Sequence, residues 1–190
     1  MHVVIAHYNE NLDWIRNLDV SYTIISRGGI PPETAPNKGR EAGSYLEYIV
    51  KNYDSLEDIT VFVHGHRSDW HHPENMDEKL RRLTIETEYK NINLYGINYL
   101  RNALHDMNAT RAGIQAVADI LGTPIVPEEL GYKCSAQFYV SKRLIHRHSK
   151  EIYQRLYEYL MQTSLPGYWS GRVFEYTWHF IFTGNHIDTV

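Results

Sequence analysis

Between positions 64 and 72 the run HGHRSDWHH places His64, His66, Asp69, His71 and His72 within nine residues, and so gathers four of the chain's eleven histidines. Imidazole nitrogen is a borderline ligand and carboxylate oxygen a hard one, a mixture that suits Mn²⁺ or Zn²⁺. In an extended segment alternate residues share a face, so His64 and His66 can reach one ion from the same side. The plainer alternative is a solvated loop whose histidines make ordinary surface hydrogen bonds. Glu175 and His179 form a second pair, one helical turn apart, that can present a base and an imidazole to a common site. Its alternative is an exposed i,i+4 contact. The segment NKGRE at 37–41 puts Lys38 and Arg40 at a helix start, where free amides and the helix dipole favour phosphate. Here the alternative is an ordinary helix start with Arg40 paired to Glu41 or Glu47. Finally, His7, Tyr8, Asn9 and Glu10 close the first apolar run, where a base can stack or hydrogen-bond; a merely polar turn reads the same way.

These groups need elements to hold them. The apolar run at 59–63, ITVFV, suits a buried strand and ends at His64. In an open α/β sheet, ligands bind at the carboxyl ends of the strands. Further strands are expected at 3–6, 21–26, 92–97 and 137–140. Helical patterns fall at 9–18, at 38–53 (Tyr45, Leu46, Ile49, Val50, Tyr53), near 77–88, at 112–121, at a segment carrying Ile152, Leu156 and Leu160, and at 172–182. Gly122, Pro124 and Pro127 close the fourth of these, Ser141 or Ser149 is positioned to cap the fifth, and Pro166, Gly167 and Gly171 are breakers ahead of the sixth. After the second strand come Arg27, Gly28 and Gly29, then Pro31, Pro32 and Pro36, a loop whose prolines exclude continuous helix or inner strand. The alternation predicts one α/β domain with a mixed, mainly parallel sheet flanked by helices.

A chain of 190 residues is long enough for one domain with a sizeable core. With 19 basic and 23 acidic side chains its formal net charge is -4, which gives no electrostatic case for nucleic acid or an anionic membrane. Local groups must hold any anionic ligand. A lone Cys134 excludes an internal disulfide framework, and no apolar run approaches the roughly 20 residues of a membrane span. The opening MHVVIAHYNE enters a strand without the features of a signal peptide, so a soluble cytoplasmic protein is expected, either whole or as a domain excised from a longer chain.

VVIAHYNENLDWI, NKGREAGSYLEYIVKNYDSLEDITVFVHGH, CSAQFYVSKRLI and GRVFEYTWHFIF together resemble a family of domains similar to GT-A glycosyltransferases, including ones encoded by large algal viruses. The resemblance covers most of the chain. It implies a single GT-A-like, Rossmann-type domain in which the first strand end meets a nucleotide and the central strand end holds Mn²⁺ or Mg²⁺. Enzymes of that kind carry Asp-x-Asp at the second position, where this chain has His64-Gly65-His66 with Asp69 shortly after. His64, His66, Asp69 and His179 are therefore the metal candidates. His7, Asn9, Arg27, Asn37, Lys38 and Arg40 are the candidates for binding a nucleotide-diphosphate sugar, by resemblance UDP-linked. Glu175 falls where an acidic catalytic residue is often found. The implied reaction is sugar transfer to a glycan acceptor, inverting, with Glu175 deprotonating the acceptor hydroxyl. Two other readings compete. The His-rich run is similar to the His-x-His-x-Asp-His series of metallo-β-lactamase-like hydrolases, but Asp69 lies three residues after His66 instead of two and Trp70 separates it from His71. A non-catalytic carbohydrate- or nucleotide-binding module, favoured if the 13% aromatic residues line a groove, would bind without turnover whether or not Glu175 is present.

Overall fold

Three parallel strands carry the first half of the fold in a computed structural model that describes residues 1–28, 37–70, 72–93, 104–132 and 135–188. They are β1 (His2–His7), β2 (Ser21–Ser26) and β3 (Ile59–His64), with α1 (Glu41–Asn52) crossing between the second and third. There follow α2 (Met76–Arg82), β4 (Tyr89–Asn91), α3 (Leu104–Leu121), β5 (Gly131–Tyr132), β6 (Phe138–Ser141), α4 (Lys142–Ile145), α5 (Lys150–Gln162), α6 (Gly167–Thr183) and β7 (Ile187–Asp188). The main sheet has the order β2-β1-β3-β6-β4. Both β1 pairings are parallel, and β6 is antiparallel to β3 and to β4, so four of the five strands point the same way. This is the mixed α/β sheet flanked by helices that the alternation of patterns predicts.

The two faces of the sheet make two cores because successive strand residues point to opposite sides. Val4, Ala6, Phe62, Phe138 and Val140 face α1, α5 and α6, with the Phe62 ring 4.8 Å from Tyr45 and 5.2 Å from Phe138. Val3, Ile5, Val61, Val63 and Tyr139 face Trp14, Met76, Leu80 and Ile92. Burying one such side chain is worth about 1.5 to 3 kcal/mol, so β3, sealed on both faces, is the fixed axis of the fold. Its last residue, His64, is where that axis meets the surface cleft.

Several elements depart from their predicted bounds. The 9–18 pattern forms only a single 3-10 turn at Asp13–Asn17. The first long helix starts at Glu41, because Gly39 and Arg40 have φ of +69° and +52° and cannot continue a helix. The helix near 77–88 stops at Arg82, and its neighbour strand is Tyr89–Asn91, ahead of the predicted 92–97, of which 94–97 lie outside the described residues. The α3 helix begins well before 112. Ser141 caps the short α4 by accepting from the Leu144 amide at 3.1 Å, and no side-chain cap is present at Ser149. The last helix begins at Gly167 and runs straight through Gly171, which reads as a breaker in the sequence. A Cβ at 171 would sit 3.1 Å from the Gly39 carbonyl, so that glycine serves the close approach of α6 to the turn before α1. Among the described residues no helix is long and apolar enough to cross a membrane.

Candidate active site

Ala6 of β1 pairs with His64 of β3, so these adjacent parallel strands leave the sheet side by side. The loops after them, the turn before α1 and one face of α6 enclose a cleft of two lobes that share Arg40, Glu41 and His66. The first lobe, about 290 Å³, is lined by His7, Tyr8, Glu10, Arg27, Asn37 and Ser44. The second, about 180 Å³, adds His64, Asp69, Trp70, Ser135, Arg172 and Glu175.

In the first lobe the chain organises itself around Glu10. Its carboxylate accepts from the Tyr8 amide at 2.6 Å and the Asn9 amide at 3.1 Å and stands 3.5 Å from His66 Nε2. Burial pushes this carboxyl up, but the backbone amides and then the His66 and His7 imidazoles outweigh it and hold it below the ordinary range. Gly65 makes this possible, since a Cβ there would meet the Glu10 carboxylate at 2.8 Å. His7 Nε2 faces the Glu10 carbonyl at 3.2 Å, so that nitrogen is the donor, and Nδ1 lies 2.8 Å from the Ser26 hydroxyl. Arg27 is held by Ser44 (3.3 Å) and by Glu47 (2.5 Å), with only 2% of its side chain exposed. Glu47, a sequence candidate for pairing with Arg40, is thus taken by Arg27 and by Lys51. Lys38 donates to the Leu165 carbonyl and fastens the turn to the segment between α5 and α6.

The second lobe adds the charged groups of Asp69, Arg172 and Glu175. A buried relay fixes the end of β3: the His64 amide donates to Gln137 Oε1 at 3.1 Å, and Gln137 Nε2 donates to Asn93 Oδ1 at 2.8 Å. Trp14 Nε1 donates to the Gly65 carbonyl at 2.8 Å and braces the loop from beneath. His64 Nε2 lies 3.9 Å from Glu41, in the first turn of α1. Arg40, the N-cap residue of α1, makes no side-chain cap and projects into both lobes. Across the lobe, Glu175 accepts from Arg172 Nη1 at 2.8 Å and keeps 14% of its side chain exposed. Burial drives the Glu175 carboxyl up to about 7; the Arg172 guanidinium pulls it down and Glu41 pushes it further up. The Tyr45 hydroxyl, fully buried on α1, has no hydrogen-bond partner among the described residues and is raised by burial and then by Glu41 and Glu175.

The structure thus brings together His7, Arg27, Asn37, Arg40, His64, His66, Asp69 and Glu175. It leaves out three of the sequence candidates. Asn9 is exposed and does not line either lobe. Lys38 is spent on Leu165. His179 is fully buried one turn beyond Glu175, but its Nε2 donates to the His186 carbonyl at 2.7 Å and it borders a separate cavity with Arg143, Arg147 and Thr183. The helix turns it away from the cleft, although Glu175 and His179 are one turn apart. His71 lies outside the described residues. His72 is buried, its ring 6.2 Å from that of His64, and pairs through its backbone with Asp69. Sequence reasoning passed over Trp70 and Tyr168, grouped Glu10 with the possible base contacts at the end of the first strand, and gave Glu41 a local pairing; for the ion pair on α6, the Arg172 to Glu175 spacing of three was the readable signal.

A metal ion has a poor seat here. Among the described residues no three His, Cys, Asp or Glu side chains are grouped to hold one. Asp69 accepts from the Trp70 amide at 2.6 Å, which turns its carboxylate onto its own loop, and His179 is elsewhere. Among the described residues, the candidate set of His64, His66, Asp69 and His179 is therefore not grouped as a preformed ion site.

The family model described as "Protein of unknown function (DUF3431)" matches residues 3–190, and the chain belongs to that family. Neither the curated proteins nor the solved structures yield a match.

Proposed function

We propose that this DUF3431 protein is a glycosyltransferase that moves a sugar from a nucleotide-diphosphate donor, UDP-linked, to the hydroxyl of a glycan acceptor, with inversion. The observation that carries the reading is the continuity of the cleft, in which Arg40 at the start of α1 and a largely buried carboxyl poised near neutrality, Glu175, face one space at the ends of parallel strands. The nucleoside occupies the first lobe against Tyr8 and His7, and the diphosphate lies beside Arg40 where the lobes meet. The sugar and acceptor take the second lobe, next to Glu175 and Trp70.

Chemically, the acceptor oxygen bonds to the anomeric carbon as its proton passes to Glu175, while the bond from that carbon to the β-phosphate oxygen breaks and the nucleotide diphosphate leaves with the electron pair. A base that works in water at neutral pH needs a pKa near the ambient pH, and Glu175 has one. Charge developing on the leaving diphosphate is met by Arg40 and by the positive end of the α1 dipole, in a setting where such groups act more strongly than in bulk water.

The test is release of free nucleotide diphosphate from a panel of UDP-sugars offered with mono- and oligosaccharide acceptors. Wild type should release UDP with at least one donor, and Glu175→Gln should bind UDP normally and release almost none. Equal release by the Gln variant, or none by wild type with any donor, would overturn the reading.

A further inference from the structure

Two guanidinium groups from different elements converge on one aromatic ring. Arg40, from the turn before α1, has its guanidinium carbon 4.9 Å from the centre of the Tyr168 ring. Arg172, from the second turn of α6, stands 5.2 Å from the same centre. The Tyr168 hydroxyl also accepts from Arg172 Nη2 at 3.1 Å and Nε at 3.3 Å. Two like charges held this near one another repel, and their placement needs a counterweight. The negative face of the phenol ring supplies it for both, and Glu175 supplies more for Arg172 through its 2.8 Å contact. The Gly171 contact with the Gly39 carbonyl sets the distance between the two backbones that carry the arginines.

The pair straddles the junction of the two lobes: Arg40 lines both and Arg172 lines the second. A diphosphate presents two phosphoryl groups to two cations set apart by a rigid spacer, whereas a monophosphate presents one. We propose that Tyr168 is a positioning residue that spaces Arg40 and Arg172 into a bracket selective for a diphosphate over a monophosphate. This rests on the donor-site reading above and adds to it the group that the site selects by and the residue that sets the selection. Each charged contact made only by the diphosphate is worth a factor of roughly 10 to 100 in affinity.

Calorimetry on the full chain with inorganic pyrophosphate against orthophosphate, and with UDP against UMP, tests the bracket apart from the nucleoside. Wild type should bind pyrophosphate and UDP at least about tenfold more tightly than orthophosphate and UMP. Tyr168→Leu should bring both ratios towards one while affinity for the monophosphates stays unchanged. Tyr168→Phe, which keeps the ring and loses only the hydroxyl, should restore most of the preference, and a general loss of structure would not be rescued in that way. Because Tyr168 is 40% exposed, Tyr168→Gln serves as a second ring-free variant if the Leu chain folds poorly. Equal wild-type affinity for pyrophosphate and orthophosphate would overturn the bracket, as would a full preference kept by the ring-free variants. A pyrophosphate preference that depends on Tyr168, without any binding of UDP, would sustain the bracket and sink the nucleotide-sugar reading instead.

Discussion

Transfer by the wild-type protein should rise with pH along a one-proton limb centred near 7, because only the ionised form of Glu175 can accept the acceptor's proton. The position of that limb follows from the site. Moving a carboxyl from 4.5 to about 7 corresponds to about 3 kcal/mol of disfavoured ionisation, supplied chiefly by burial and opposed by Arg172. Two pH units below the midpoint the rate should be down by about a hundredfold, since about one molecule in a hundred then carries the base ionised. Arg172→Met removes the cation that favours the carboxylate, so the limb should move to higher pH. Glu175→Gln should lower the plateau by a factor on the order of 10² to 10⁴ and abolish the limb. Stability must move in the opposite sense. The native state binds this proton more tightly than the unfolded chain, so the contribution of Glu175 is fully present below about 4.5 and is lost as pH rises through about 7. Initial rates of UDP release and melting temperatures, taken on the same preparations across that range, give both readings. A limb centred near 4.5, or one that persists in Glu175→Gln, would refute this assignment of the base.

Three further outcomes follow from single contacts. Arg40→Ala should weaken UDP binding by roughly 1.5 to 3 kcal/mol, read by calorimetry, with little change in melting temperature because the side chain is exposed. His179 is held neutral and lowered to about 4, first by burial, so its contribution to stability is present above 6.5 and lost as pH falls through about 4; His179→Gln should flatten that part of the melting curve. Dialysis against EDTA should leave the melting temperature of the free protein unchanged, because no three described ligands are assembled around an ion, and a fall of several degrees would show that a metal organises the cleft.

Much of this was legible in the chain because strands and helices announce themselves by period. The ITVFV run gave β3, and the strand-end rule put His64, His66 and the His7 segment on one edge. The NKGRE segment does border the cleft at Asn37 and Arg40, yet the positive φ of Gly39 and Arg40 turns Lys38 onto Leu165, which no helical pattern foretells. Periodicity placed Glu175 and His179 one turn apart. It could not say that the i,i+4 step on α6 ends under β7 and the His186 carbonyl, away from the cleft. Gly171 misled for a related reason: in sequence it reads as a breaker, whereas in space it is room for another backbone. The Arg40 and Arg172 pairing across Tyr168 joins residues more than a hundred positions apart, and nothing local in the chain marks it.

The most direct measurement is a crystal structure of the protein grown with UDP. The account predicts the diphosphate at the junction of the two lobes, within hydrogen-bond distance of Arg40 and Arg172, with the base against Tyr8 and the second lobe left open towards Glu175. UDP bound in the His179 cavity, or a diphosphate that touches neither arginine, would contradict it.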